Sequence, residues 1–302
     1  MRDVHGRLRR IGITTMALGA LLVVGMASNA SAATITPVTN TVGIPSDQTG
    51  STTALCPART QVSAAGFATT TNPDQGVVIA SMIPSPAGVS VTAVNFGNDG
   101  QLSGTAYCAQ VPKKKKKKKK HAKKGTATVA KKKKKKKKKA VPLTQVSATT
   151  SLTGLTEGSA IATCPAKTTV RTGGFSTPVS PDGSLQAIVK SGQLLGAGQW
   201  QVGADASGDP SAPASVTAVA LCGAGPPVTA ATATTQLTSE TPFTATAGCP
   251  AGTSVAFGGF AEHGDFTFNT YVSGLARTTD STWQTTDFPF EAGSITSIAY
   301  CA

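Results

Sequence analysis

Apolar residues occur in two different patterns along this chain. Residues 11–27 form one continuous apolar run, "IGITTMALGALLVVGMA", preceded by four arginines within the first ten residues and followed by the small residues "SNASAA". After it, short segments rich in Thr, Val, Ser and Ala are separated by turns such as "GNDG" and "SPDG". No later segment has the 3.6-residue apolar period of a helix, whereas "SVTAVALC" and "SITSIAYC" have the character of strands. The pattern predicts an all-β protein that follows a leader.

The leader is typical of a secretory signal peptide, residues 1–32, with cleavage predicted between Ala32 and Ala33. Its apolar run is short for a membrane span and has no basic flank after it, which disfavours a permanent anchor. The pair Arg9-Arg10 is also compatible with twin-arginine export, so the export route stays open. We therefore expect a secreted, extracellular protein without a transmembrane segment, either released or held non-covalently at the cell wall.

An internal repeat organises the remaining residues. "CPARTQVSAAGF" begins at Cys56, "CPAKTTVRTGGF" at Cys164 and "CPAGTSVAFGGF" at Cys249, and each copy closes on a second cysteine. The repeat predicts three small antiparallel β domains, sandwich or β-prism-like, at residues 33–111, 141–223 and 227–302. A glycine within a strand pattern indicates a bulge or a close backbone approach. We expect this at the recurring pairs Gly66-Phe67, Gly174-Phe175 and Gly259-Phe260, with each phenylalanine in the core.

One cysteine stands at each end of each repeat, and this arrangement predicts three disulfides in an exported chain. The predicted bonds are Cys56–Cys108, Cys164–Cys222 and Cys249–Cys301. Each is expected to stabilise its unit by about 4 kcal/mol on the loop-entropy estimate. Metal ligation requires closer cysteines or neighbouring histidines, so neither a metal nor a cofactor is predicted.

The signal peptide, the motif "CPAGTSVAFGGF", a later "QW" or "TW" and the closing "SITSIAYC" resemble a repeat of secreted actinobacterial proteins that have no assigned activity. The layout from Cys-Pro through Gly-Phe to the second Cys is also similar to vitelline-membrane outer-layer proteins. That similarity implies a β-prism made of three sheets. Repeat 1 departs from the pattern, because it has Ala65 where the others have Gly173 and Gly258. It also lacks a tryptophan that matches Trp200 and Trp283.

Charge divides the chain into a basic segment and acidic surroundings. The formal net charge is +14, and residues 33–302 carry 24 Lys+Arg against 13 Asp+Glu. Nineteen of those cations lie in residues 112–140, which leaves 5 against 13 elsewhere, a net of −8. The nineteen are Lys113, Lys114, Lys115, Lys116, Lys117, Lys118, Lys119, Lys120, Lys123, Lys124, Lys131, Lys132, Lys133, Lys134, Lys135, Lys136, Lys137, Lys138 and Lys139.

Repulsion between like charges predicts a disordered poly-Lys linker over residues 112–140. Without interleaved aromatic residues it is expected to attract polyanions non-specifically and in a salt-sensitive way, with no sequence-specific nucleic-acid recognition. The expected partners are anionic cell-wall polymers, acidic glycans and other extracellular polyanions. Two alternatives stay open: a solvated spacer without a partner, and pairing with the acidic residues of 240–302 in the same chain.

No catalytic constellation is evident. His121 lies among the lysines, and His263 has Glu262 and Asp265 beside it in "AEHGDF", a pattern more typical of a surface loop than of a metal or base site. Trp200 and Trp283 are expected to be core anchors, with sugar platforms as the alternative. The sequence predicts a non-enzymatic secreted structural or surface-associated protein. The alternative is an array of carbohydrate-binding modules, and a secreted hydrolase comes third.

Overall fold

The computed structural model describes residues 34–302 except 71–75, 112–141, 154–155, 207–212, 239–240, 264–269 and 290–291. The predicted signal peptide, the poly-Lys linker, His121 and Asp265 lie outside the described residues. Residues 33–302 form one compact unit.

Each repeat contributes six strands in the same order. Repeat 1 contains β1 (Ile35–Ile44), β2 (Thr49–Leu55), β3 (Thr60–Thr69), β4 (Val77–Ser85), β5 (Gly88–Asn95) and β6 (Gly100–Gln110). Repeat 2 contains β7 (Thr144–Leu152), β8 (Glu157–Thr163), β9 (Thr169–Ser176), β10 (Ala187–Gly196), β11 (Gln199–Ala206) and β12 (Ala214–Gly223). Repeat 3 contains β13 (Thr229–Leu237), β14 (Phe243–Gly248), β15 (Val255–His263), β16 (Thr270–Arg277), β17 (Thr282–Pro289) and β18 (Gly293–Cys301).

The strands form three six-stranded antiparallel sheets, and this confirms the all-β prediction. Sheet A has the order β1-β6-β3-β16-β17-β14, sheet B β2-β5-β4-β9-β12-β7, and sheet C β13-β18-β15-β10-β11-β8. The three sheets belong to the body as a whole and not to any single repeat. Each repeat is divided between two sheets, and each sheet joins two repeats through a central pair of strands: β3–β16, β4–β9 or β10–β15. The repeats therefore share every sheet instead of folding side by side.

Alternation of apolar and polar residues explains why these short segments are strands. In β11 every second residue, from Trp200 through Val202 and Ala204 to Ala206, is buried, and the residues between them are partly exposed. A period of two places one set of side chains in the core and the other on the outer face. Most inward residues are small, so the core depends on close backbone approach and on a few large rings.

The Gly-Phe pairs join the three sheets at the centre of the molecule. Phe67 on sheet A meets Phe175 on sheet B with ring centroids 6.3 Å apart, and Phe175 meets Phe260 on sheet C at 6.2 Å, both edge to face. A Cβ on the preceding glycine would collide with the carbonyl oxygen of a strand from another repeat. These oxygens belong to Leu275 opposite Gly66, Met82 opposite Gly174 and Gly192 opposite Gly259. The predicted close backbone approach and buried phenylalanines are confirmed.

Both tryptophans are core residues, as expected from the sequence. Trp200 is 2% exposed and Trp283 is fully buried, so neither indole has a face available to a sugar. Each indole lies against the first glycine of its Gly-Gly-Phe motif, Gly173 or Gly258, where a Cβ would overlap the ring. Trp200 also donates a hydrogen bond from Nε1 to the carbonyl of Gly174 at 3.1 Å.

Repeat 1 fills the same volume in a different way. Val89, the second residue of β5, occupies the place that tryptophan has as the second residue of β11 and of β17, and it is fully buried. Its neighbour in the motif is Ala65, which is 2% exposed, instead of the glycine of the other two repeats. Repeat 1 therefore combines a smaller side chain on β5, Val89 in place of tryptophan, with a larger residue on β3, Ala65 in place of glycine.

Three disulfides connect the sheets pairwise. The bonds are Cys56–Cys108, Cys164–Cys222 and Cys249–Cys301, each with a Cα–Cα distance of 5.6 Å, as predicted. In every repeat the first cysteine follows the second strand and the second lies on the sixth strand, which belongs to another sheet. Each bond therefore links two sheets. We call the end of the molecule where the strands meet these bonds the disulfide end.

Candidate functional site: a charged cleft at the acidic end

The charged side chains are segregated between the two ends of the strands. Of the five cations that residues 33–302 carry outside the poly-Lys linker (residues 112–140, here called the lysine segment), four lie at or near the disulfide end: Arg59, Lys167, Arg171 and Arg277. Of the acids that the structure describes, only Asp280 is at that end. The others lie toward the opposite end, here called the acidic end: Asp47, Asp99, Glu157, Asp182, Asp205, Glu262 and Asp287. β6 ends and β7 begins at the disulfide end, and the nineteen lysines lie between these two strands in the sequence.

A cleft of about 370 Å³ lies on sheet C toward the acidic end. It crosses β8, β11, β10 and β15. Its polar lining includes Glu157, Ser159, Lys190, Gln193, Asp205, Glu262 and His263. Strand register places Glu157 directly opposite Asp205 on the neighbouring strand. Two carboxylates in that position repel each other, which makes the cleft a site of unbalanced negative charge.

Lys190 is the cation within the cleft, and it pairs with Glu262. Its Nζ lies 3.0 Å from Oε2 of Glu262, and the two side chains are 19% and 3% exposed, respectively. Lys190 is located at a β-bulge between Val189 and Ser191. A bulge redirects a side chain from the regular alternation of the strand, and here the redirected side chain is the charged one.

The corresponding contacts in the other two sheets are neutral. At the position of Glu262, repeats 1 and 2 have Thr69 and Thr177, whose hydroxyls donate to the carbonyls of Ser273 at 3.3 Å and Ala80 at 3.2 Å. Ser273 and Ala80 are the bulge residues that correspond to Lys190. Sheet C has thus replaced a hydroxyl-to-carbonyl hydrogen bond with an ion pair between side chains.

Asp287 on β17 is electrostatically coupled to this pair. It is fully buried, where repeats 1 and 2 have Ala93 and Ala204 in the same register. Burial, with a smaller contribution from the negative charge of Glu262, raises the pKa of Asp287 to about 8, although Lys190 opposes the rise. The carboxyl is therefore mainly protonated at neutral pH. With no exposed surface, it is not accessible to a substrate in the cleft.

The pKa of Asp205, at the cleft surface, is also subject to opposing effects. Partial burial raises its pKa, Lys190 lowers it, and Glu157 raises it. One lysine therefore offsets three neighbouring carboxylates, and the cleft keeps an excess of negative charge. This arrangement can accept hydrogen bonds from a cationic group. Among the described residues, no group of three potential ligands is placed to hold a metal ion.

The sequence drew attention to His263 and Glu262 but favoured a surface loop over a site. His263 is exposed and lines the cleft beside Glu262, whereas Asp265 is outside the described residues. Lys190, Asp205 and Asp287 were missed. Lys190 carried a signal, because residues 33–302 have only five cations outside the lysine segment and this one interrupts the apolar pattern of "AIVKSG".

No helix in the described part of the chain is long and apolar enough to cross a membrane. No family model and no curated protein matches the chain.

Proposed function

We propose that this is a secreted, non-enzymatic structural or surface-associated protein that is held loosely on anionic extracellular polymers by its lysine segment. The supporting observation is a difference between two equivalent connections. Five residues, 224–228, join the sixth strand of repeat 2 to the first strand of repeat 3. The same step from repeat 1 to repeat 2 uses 33 residues, 111–143, and these include all nineteen lysines.

This comparison disfavours a pure spacer. A spacer separates domains that fold independently, but repeats 1 and 2 share sheet B through the β4–β9 pair. Since five residues suffice for the equivalent step elsewhere, the extra residues are not needed to connect the repeats. They are a cationic insertion in the sequence between β6 and β7. The insertion calls for a different explanation, and binding of polyanions is the simplest one.

The body suits a passive extracellular role. Its three disulfides are typical of an oxidising compartment, and each one ties two sheets together. Arg59 and Lys167 are exposed in the turns at the disulfide end, next to the insertion. All the described carboxylates except Asp280 lie toward the other end, so repulsion would orient the disulfide end toward a polyanion. Lysine ammonium groups act as point charges, which favours diffuse contacts over recognition of one structure.

The test is partitioning of residues 33–302 onto heparin and onto anionic wall polymer. One variant replaces the nineteen lysines with Ser, and a matched control replaces them with Arg. The logarithm of the affinity falls with the logarithm of the salt concentration, with a slope of about −0.7 per lysine contact. If about half of the lysines are engaged, raising the salt from about 50 to about 200 mM weakens binding by roughly four orders of magnitude. We expect the Ser variant to lose binding at low salt and the Arg variant to keep it, while both retain the melting temperature of the unmodified protein. Equal partitioning of the Ser variant and the unmodified protein would contradict the proposal.

A further inference from the structure

We propose that the side chains of Lys190 and Glu262 condense to an intramolecular amide bond, which links repeat 2 covalently to repeat 3. The amine comes from Lys190, the acyl group comes from Glu262, and one water molecule is released. This inference goes beyond the proposed function, because it concerns the folded body alone and involves no residue of the lysine segment.

The two groups that react are already in contact. Nζ of Lys190 lies 3.0 Å from Oε2 of Glu262, and the two side chains are only 19% and 3% exposed. Their chain neighbours Ser191 and Ala261 are directly paired between β10 and β15, so the sheet itself fixes the approach. Groups held in a reactive geometry can reach effective concentrations of about 10⁵–10⁸ M, which offsets the unfavourable condensation of a free amine and a free acid in water.

Comparison of the repeats singles out this contact. Three ionisable residues on three different strands meet here, and none of their counterparts in the other repeats is charged. The counterparts are Ala80 and Ser273 for Lys190, Thr69 and Thr177 for Glu262, and Ala93 and Ala204 for Asp287. The fold therefore does not require these charges. A buried ion pair is a weak source of stability, because both charges lose their hydration, and stability alone does not explain the cluster.

Asp287 is the acid that the condensation needs. It is fully buried, and its charge interacts with both Glu262 and Lys190. Burial, reinforced by the charge of Glu262, raises the pKa of Asp287 to about 8, so this carboxyl holds its proton at neutral pH. The structure thus places a protonated acid next to an amine and a carboxylate.

The reaction balances within these three side chains. One proton passes from the Lys190 ammonium to the Glu262 carboxylate, which leaves a neutral amine beside a carboxylic acid, and burial favours the uncharged forms. The nitrogen then attacks Cδ of Glu262. Asp287 gives its proton to the departing hydroxyl group and takes one from the nitrogen, so it ends protonated as it began. A C–N bond forms, a C–O bond breaks, and the released water has a way out because Lys190 and Glu262 line the cleft.

The amide bond adds a connection that the disulfides do not provide. Each disulfide lies within one repeat, whereas this bond joins two repeats across the central pair of strands in sheet C. A reductant that opens the disulfides does not cleave an amide. The bond therefore suits a structural protein outside the cell.

The test is mass spectrometry of residues 33–302 after reduction and denaturation. We expect a mass lower than that of the sequence by one water molecule. Trypsin does not cleave after a lysine whose amine is acylated, so residues 172–277 are expected to remain one peptide. Further cleavage after Glu240 is expected to give residues 172–240 and 241–277 still linked to each other. The full mass of the sequence with free peptides, or a link from Lys190 to another residue, would overturn the proposal.

Three substitutions assign the atoms. Lys190→Arg keeps the positive charge but has no amine, and Glu262→Gln has no hydroxyl group to release as water, so both are expected to abolish the water loss. Asp287→Asn preserves the shape of the acid but lacks its proton. It is expected to slow bond formation at least about 100-fold, so that freshly purified protein has the full mass.

Circular dichroism and the melting temperature establish that each variant is folded. Water loss that persists in Lys190→Arg or Glu262→Gln, or complete linkage in freshly purified Asp287→Asn, would contradict the proposed roles. The mass of the unmodified protein decides whether the bond exists, independently of how any variant folds. Heparin binding is expected to be the same in all four proteins, because none of the substitutions alters the lysine segment.

Discussion

The fit between glycine and indole in repeat 3 makes a quantitative prediction. Trp283 is fully buried, and a Cβ on Gly258 would overlap its ring. Gly258→Ala therefore forces the indole to move within a closed core, which typically costs about 1–3 kcal/mol and occasionally more. Trp283→Val removes the whole indole ring and leaves a cavity, at a cost of about 3–5 kcal/mol by comparison with truncation of large aromatic residues.

The double variant is expected to be more stable than the sum of the two single effects indicates. It recreates the pair Ala65 and Val89 of repeat 1, both of which are buried at the equivalent positions. Because the two residues are in contact, we expect a favourable coupling of about 2 kcal/mol, within the range seen for neighbouring sites. Guanidinium unfolding of the four proteins, with disulfides intact, measures this coupling.

The reverse exchange in repeat 1 is the matched control. Val89→Trp alone is expected to destabilise the protein. Adding Ala65→Gly is expected to recover part of the lost unfolding free energy, because removal of the methyl group makes room for the indole ring. Effects that add to within about 0.5 kcal/mol in both cycles would refute the reasoning. In that case the size of the residue at the Gly258 and Ala65 position would not depend on the size of the residue at the Trp283 and Val89 position. The difference between the repeats would then have another cause.

Two further predictions concern ionisation and the covalent links. The folded state raises the pKa of Asp287 to about 8 from its usual value of 3.8, so it binds the proton more tightly than the unfolded chain does. The unfolding free energy is therefore expected to fall as pH rises from about 4 to about 8. Asp287 faces Glu262, Lys190 and Tyr271, and Asp287→Asn is expected to remove this pH dependence. Curves of unfolding free energy against pH that run parallel for the two proteins would contradict the prediction. Peptide mapping without reduction is expected to find three disulfide bonds, each within one repeat. The double substitution Cys56→Ala with Cys108→Ala is expected to lower the unfolding free energy by about 4 kcal/mol. A peptide joining Cys108 to Cys164 would contradict that assignment.

Local pattern was sufficient for the secondary structure, the repeat and the disulfides of this protein. Alternation with a period of two specifies strands because it separates one buried face from one exposed face. The recurrence of Cys56 and Cys108 at equivalent places in every copy selects one cysteine pairing among the fifteen that six cysteines allow. The Gly-Phe motif indicated a close backbone approach without naming the partner strand.

The tertiary structure decided which strands meet, and the site follows from that. Pairing of β10 with β15 joins two repeats, and it brings Lys190 to Glu262 across 72 residues of sequence. No local pattern encodes this contact, because each strand end is compatible with several neighbours. The segregation of charge also depends on topology: acids scattered along the chain converge only because alternate connections meet at one end. Composition showed that the lysine segment and the acidic remainder differ. The fold placed the end of β6 and the start of β7, which flank that segment, at the end of the molecule opposite to most of the described acids.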